Sequence, residues 1–237
     1  MRKIFFAMAI LLGAASMALA QDKKSEKIEG NGNLVTREVN VSPFDTLKAS
    51  GIYELILSQG SKESVKIQAD ENLQQYFSVK NEGRNLVIEM KDIKGKNFNS
   101  KDKMKIYVSF RQLKGMKLKT VGGVSTEGLL TFDDVEIDNK SVGNISLKMN
   151  ADKVDVSNKS VGNVVISGKA REAVVRNTGV GKLEAGDFVV QTMDIENTGI
   201  GTAEVNAQKN LKVKDNFLGK VSNRGSATMR KMNKVRV

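Results

Sequence analysis

Acidic side chains crowd one short stretch of this chain: Asp133, Asp134, Glu136 and Asp138, with Asp155 one repeat further on. Carboxylates placed this way can surround Ca²⁺, or serve as acid and base on a glycosidic bond while a Lys or Arg takes up a proton. Glu136 and Asp155 share one outward column, which leaves room for a cation between them. The column continues as Val174, Asp194 and Lys212, the mixture of a solvated strand face. Lys140 and Lys159 suggest a different chemistry. They hold equivalent places in successive repeats, outside the apolar columns, and two ammonium groups stacked there form a candidate glycan-binding pair for an anionic polysaccharide. No residue is assigned to catalysis, a metal or a cofactor.

Composition narrows the choice further. The 237 residues include no His, Cys or Trp, so there is no Ser-His-Asp or Cys-His unit, no imidazole or thiolate metal site and no disulfide. Lys and Arg number 38 against 27 Asp and Glu, a formal charge of +11. Nucleic acid is not the expected partner, because aromatics interleaved with the basic residues are needed to stack bases and make up only 5% of the chain. Anionic polysaccharide or other envelope components suit the charge better. The basic end, Arg230, Lys231, Lys234 and Arg236, reads as a solubilising terminus or a guard against edge-to-edge pairing.

Residues 1–20 read as a signal peptide. Arg2 and Lys3 precede an apolar stretch from Ile4 to Ala15, and Ala18-Leu19-Ala20 supplies a cleavage pattern that places the cut between Ala20 and Gln21. No transmembrane segment is expected, since no later run approaches the roughly 20 apolar residues a span requires. No cysteine follows the cut to carry a lipid anchor. The expected location is therefore outside the cytoplasm: periplasmic, secreted or associated with the outer surface. Beyond the signal peptide the chain divides into a polar lead (21–29), a β-rich part (30–115), repeated coils (116–229) and the basic end (230–237).

In the β-rich part, Leu34 to Val41, Ile52 to Leu57, Val65 to Ala69, Leu86 to Met90 and Met104 to Phe110 alternate apolar with polar residues, the period of a half-buried strand. Asp70 to Phe77 reads as one short helical turn with Asp70 at its N-cap, and Lys91 to Lys103 as a charged loop. From residue 116 the chain repeats. One apolar column is Met116, Val135, Val154, Ala173, Met193 and Leu211, at spacings of 19, 19, 19, 20 and 18. Two residues later comes a second: Leu118, Ile137, Val156, Val175, Ile195 and Val213. Both face one interior. A third, Val142, Val161, Val180, Ile200 and Leu218, is followed each time by glycine (Gly143, Gly162, Gly181, Gly201, Gly219), and a fourth, Ile145, Val164, Leu183, Ala203 and Val221, resumes the alternation after it. The glycine permits a bend, so the unit is strand, corner, strand.

A unit of this length buries its apolar face only against its neighbours. The Val- and Ile-rich columns and the lack of a helical return favour a parallel β-helix over a leucine-rich repeat. Thr120, Asn139, Asn158, Asn177, Asn197 and Asp215 form a polar row between the columns, expected to be an internal hydrogen-bonded ladder and not a ligand site.

The residues Gly30-Asn31-Gly32-Asn33, Arg37, Phe44-Asp45, Ser50-Gly51-Ile52, Gln59-Gly60 and Asn72-Leu73, followed by repeated SVGN and TGVG turns, resemble the head GIN domain family, a Bacteroidetes-type domain of unknown function described as auto-transporter adhesins. Tyr53 stands where that family often has Asn. The resemblance spans about residues 28–229. It implies a right-handed parallel β-helix solenoid with an N-terminal β-rich part and an exported or cell-surface location, and it implies no activity. The expected function is a non-enzymatic, adhesin-like surface or periplasmic module that binds glycans or other envelope partners. The alternative is a β-helix polysaccharide lyase or hydrolase that uses surface carboxylates with Lys or Arg.

Overall fold

The structure, a computed structural model, describes residues 25–232. The expected cleavage site at Ala20 and Gln21 lies outside the described residues, as do Lys234 and Arg236 of the basic end. The described residues form β1 (Glu26–Glu29), β2 (Leu34–Val39), β3 (Thr46–Ile52), β4 (Glu54–Gln59), β5 (Ser64–Asp70) and β6 (Phe77–Glu82). Then come β7 (Asn85–Met90), β8 (Lys96–Asn99), β9 (Lys105–Phe110), β10 (Gly115–Val121), β11 (Val124–Glu127) and β12 (Leu130–Asn139). The long strands β13 (Ile145–Asn158), β14 (Val164–Asn177), β15 (Leu183–Asn197) and β16 (Ala203–Asp215) follow, and the short β17 (Val221–Asn223) and β18 (Met229–Lys231) close the series.

The expectation of a right-handed parallel β-helix solenoid is corrected by the sheet order. The chain is all-β, built on a nearly closed, barrel-like sheet in which eleven strands of mixed direction run β2-β5-β9-β4-β11-β13-β12-β10-β3-β7-β6. The β2–β5, β5–β9 and β6–β7 ladders are antiparallel, and the others on this path are parallel. β3 pairs directly with β10 and β4 with β11, so the strands of residues 30–115 and those of the repeats share one sheet. The two ends of the path approach each other, since Arg37 on β2 donates from Nη2 to the Phe77 carbonyl at the start of β6. From β13 the sheet continues through β14, β15 and β16 in parallel register. The 19-residue period misled because it records only this strand-on-strand register. It contains nothing about the hairpins that finish the stack.

Burial follows the pattern of the columns. The first, second and fourth are interior, with Val154, Leu118, Ile195 and Ala203 fully enclosed. The first step differs from the expected 19: Met116 pairs with Ile137 and not with Val135, a step of 21. Each long strand also turns a corner of its own. In β13 the buried positions change from Ile145, Leu147 and Met149 to Val154, Val156 and Asn158, a shift of phase across Asn150 to Lys153. Lys91–Lys103, expected to be a loop, contains β8, which pairs in parallel with β1 as a separate two-stranded sheet.

Residues of the family pattern join the sheet's parts together. Asp70 precedes the 3₁₀ turn Glu71–Tyr76 but makes no side-chain cap to it. Its carboxylate instead accepts from the Gly32 amide at 2.8 Å and from the Ser100 hydroxyl. Asn72 Oδ1 accepts from the Asn31 amide at 3.0 Å, and its Nδ2 donates to the Glu29 carbonyl at 2.7 Å. Gln59 clasps Thr131 from both sides, accepting from its amide at 2.7 Å and donating to its carbonyl at 3.0 Å. Tyr53 is buried, its hydroxyl 3.4 Å from the Ile88 carbonyl, and burial pushes the phenol well above its ordinary pKa.

The corner glycines limit how closely the rungs can stack. Gly162 has φ of 132°, and a Cβ there would lie 2.3 Å from the Gly143 carbonyl oxygen. Gly162→Ala is therefore expected to cost about 2 kcal/mol or more. Gly115→Ala, whose Cβ would lie 3.6 Å from its nearest neighbour, should change stability by less than about 0.5 kcal/mol. Urea melts of the two variants make the comparison, and equal losses would refute the packing argument.

At the start of β3, Asp45 receives a bond of 2.6 Å from Arg84 Nε, which holds its carboxyl below the ordinary value of 3.8. A depressed folded pKa contributes stability above the unfolded value and loses it as pH falls through the folded one. The melting temperature should decline between about pH 5 and pH 2, and less steeply in Asp45→Asn. Melts across that range test this, and parallel curves for the two proteins would contradict it.

Candidate functional site

Hydrogen bonds run through the row of amides. Asn139 Nδ2 donates to Asn158 Oδ1 at 2.6 Å, Asn158 Nδ2 to Asn177 Oδ1 at 2.7 Å, and Asn177 Nδ2 to Asn197 Oδ1 at 2.6 Å. All four side chains are buried, so each bond replaces water that cannot reach them. The run ends at Asn197, whose Nδ2 turns to the Gly201 carbonyl. Asp215 pairs with Asn197 through the backbone, but its carboxylate faces Lys231 at 3.2 Å. Thr120, because of the 21-residue first step, lies over Ser141 and donates to its hydroxyl at 3.1 Å.

The acidic cluster opens onto a cleft of about 680 Å³, lined by Asp133, Asp134, Glu136 and Asp155 with Arg111, Lys114 and Lys153 among others. Glu136 and Asp155 are cross-strand neighbours. Asp155 Oδ1 is taken by Arg176 at 2.7 Å, and Asp138 by Lys140 at 3.0 Å. Among the described residues no three carboxylates are grouped to hold a metal ion. The carboxylates meet cations on the same face, and further along it Lys212 pairs with Asp194 and Lys214 with Glu196.

A more asymmetric surface lies at the other end of these strands. Lys140 and Lys159 are in register, because the Lys159 amide donates to the Asn139 carbonyl at 2.8 Å. Lys119 stands on the rung before them: the Lys140 amide donates to the Leu118 carbonyl at 2.8 Å. Three lysines thus follow one another at the strand spacing of about 4.8 Å. Lys48 and Lys117 add a pair of direct neighbours on the same face. Of these five, Lys140 alone makes an ion pair among the described residues, with Asp138. Lys119 escaped the sequence reading because the uniform 19-residue alignment placed it two positions out of step.

Two residues beyond each of the three lysines is the third apolar column, and it points outward. Val121, Val142, Val161, Val180, Ile200 and Leu218 are 46 to 56% exposed. Consecutive bridges join Val121 to Val142, Val161, Val180 and Ile200, so the side chains form one straight stripe. Its neighbouring glycines fix the outward turn: Gly143, Gly162, Gly181 and Gly201 all have φ between 131° and 134°.

Residues 43–227 match the family described as "Putative auto-transporter adhesin, head GIN domain". The chain belongs to this family. A "putative adhesin" from Bacteroides fragilis is similar in structure, with a TM-score of 0.72 at 25% identity, covering 86% of this chain and 100% of that one. A "putative lipid binding protein" from Parabacteroides distasonis has a TM-score of 0.57 at 19% identity, over 88% and 100% of the two chains. A "putative adhesin" from the same species has a TM-score of 0.57 at 20%, over 87% and 100%. These last two show the fold alone. No curated protein matches the chain. No helix among the described residues is long and apolar enough to cross a membrane.

Replacing Asn158 by Leu would leave Asn139 Nδ2 without its acceptor in the interior, and Asn177 Oδ1 with only the Gly179 amide at 3.4 Å. The expected cost is about 1 to 3 kcal/mol, with the lysine face undisturbed. Denaturant midpoints measure it, and an unchanged midpoint would show that the amide row contributes nothing to stability.

Proposed function

We propose that this member of the adhesin family is a non-enzymatic binding module, exported from the cytoplasm, that engages anionic polysaccharide of the cell envelope through Lys119, Lys140 and Lys159. The observation that carries the reading is their alignment on consecutive rungs. Like charges directly opposite one another on a sheet destabilise it, so folding alone does not favour three lysines in line. An anionic chain laid across the rungs would relieve the repulsion and bring several weak contacts into play together. Family membership supports an exported or surface setting, and the signal peptide read at 1–20 agrees with it. Engagement of Asp155 by Arg176 and of Asp138 by Lys140 argues against a free acid–base pair in the acidic cluster.

Polygalacturonate and neutral dextran, offered to the wild-type chain and to a Lys119→Gln, Lys140→Gln, Lys159→Gln variant, test the reading. Wild type should retain the acidic polymer and ignore the neutral one. The variant should lose about tenfold or more in affinity and much of the salt dependence. Equal binding of both polymers, or no effect of the substitutions, would refute the lysine site. Shortened polymer chains after incubation would refute the non-enzymatic assignment.

A further inference from the structure

We infer that the outward stripe Val121, Val142, Val161, Val180, Ile200 and Leu218 docks the protein onto a bilayer surface bearing anionic lipid head groups, with the adjoining lysines contacting those head groups. This rests in part on reading Lys119, Lys140 and Lys159 as an anion site, and it extends that reading to what carries the anions.

Folding does not explain the stripe. Its six residues leave the interior, whereas the columns before and after them fill it. Thr would serve equally well in an exposed strand, so the core gains nothing from Val at these positions. A continuous apolar run of six rungs, about 24 Å long, is a patch of the kind that marks an interaction site. Phe217, 89% exposed beside Leu218, lengthens it at one end.

The charges on either side select the partner. The residues two positions before and after the six stripe positions include Lys119, Lys140, Lys159, Lys182 and Lys220, and no Asp or Glu. A second copy of this chain would bring lysine against lysine. A partner both apolar and anionic matches the two together. The stripe also lies on the glycine corners, where the chain bends. A long, half-exposed row suits a broad, deformable surface. Aliphatic side chains would enter the head-group boundary while the lysine stems lie along them and their ammonium groups remain with the phosphates. Anionic lipid attracts such lysines from within a Debye length, and the apolar contact then retains the protein.

Sedimentation with vesicles of phosphatidylcholine, pure or with about one part in three phosphatidylglycerol, tests the inference. The wild-type chain should pellet with the anionic vesicles and stay in solution with the neutral ones. A Val142→Ser, Val161→Ser, Val180→Ser, Ile200→Ser variant should lose about tenfold or more of vesicle binding while still retaining polygalacturonate. The triple Lys→Gln variant should lose both. As the chain contains no Trp, a single Val161→Trp substitution provides a unique probe in an otherwise wild-type protein. Its fluorescence should shift to the blue with anionic vesicles only. An unshifted spectrum, or undiminished vesicle binding by the serine variant, overturns the inference. Wild type that binds polygalacturonate but no vesicle also overturns it, leaving the glycan reading intact. Wild type that self-associates, with the serine variant monomeric, assigns the stripe to a second copy instead.

Discussion

In the repeated half of this protein, backbone stacks on backbone at the corner and only a hydrogen atom fits between. A side chain at Gly143, Gly162, Gly181 or Gly201 would fall 2.1 to 2.4 Å from the carbonyl oxygen of the glycine one rung earlier. The contact fixes register, because a slip by one residue would put a Val where no Cβ can go. It also fixes direction. With φ of Gly143, Gly162, Gly181 and Gly201 held in a range that glycine alone adopts readily, the preceding Val142, Val161, Val180 and Ile200 face outward. The exposed stripe, the stacked lysines and the buried amides are each consequences of repeating one corner without a shift.

Stacking of this kind makes its interior chemistry repetitive, and repetition has ends. Each buried Asn in the middle of the row donates to the rung after and accepts from the rung before, which satisfies a group that would otherwise be costly to bury. At one end the sequence turns to Thr120 and Ser141, whose hydroxyls bond to each other. At the other, Asn197 returns to the Gly201 carbonyl and Asp215 is drawn toward Lys231. A carboxylate suits that final place because solvent and a cation both reach it.

The inward columns, the four Asn of the amide row and the helical turn before β6 could be read from residue types and spacing, and the family from the resemblance of its motifs, whereas Thr120 and Asp215, which the spacing places in the row, bond elsewhere. The sheet order could not. Alternation in Val65 to Ala69 or Met104 to Phe110 identifies a strand, yet β5 pairs antiparallel to β9 while β4 pairs parallel to it, and pairing direction leaves no mark on alternation. The repeats therefore suggested a free-standing coil, when hairpins of the first half continue the same sheet. The 21-residue first step was hidden for a related reason: Met116 meets an apolar residue under either alignment, Val135 or Ile137, although the true register sets Leu118 opposite Asn139. The outward turn of Val142 and its equivalents was hidden because an apolar residue beside apolar columns reads as core. The positive φ of the next glycine reverses its direction, and sequence supplies that glycine without its angle.

A surface made from identical rungs recognises partners differently from a pocket. Every rung of the lysine and valine stripes offers a modest contact, exposed to water and screened by salt, and one such contact alone would hold little. Rigid spacing makes the second and later contacts intramolecular, so affinity grows with the number of rungs engaged and not with the quality of any single one. Such a surface favours partners that are themselves extended or repetitive, a polymer or a lipid sheet, and disfavours small ligands that can span only one rung. It also explains why the acidic cluster and the lysine stripe differ in character though both are rows of charge on the same strands. In the acidic cluster nearby Lys and Arg side chains pair with the carboxylates, whereas from Lys119 to Lys159 the same sign is repeated on three rungs and only Lys140 has a partner among the described residues, Asp138.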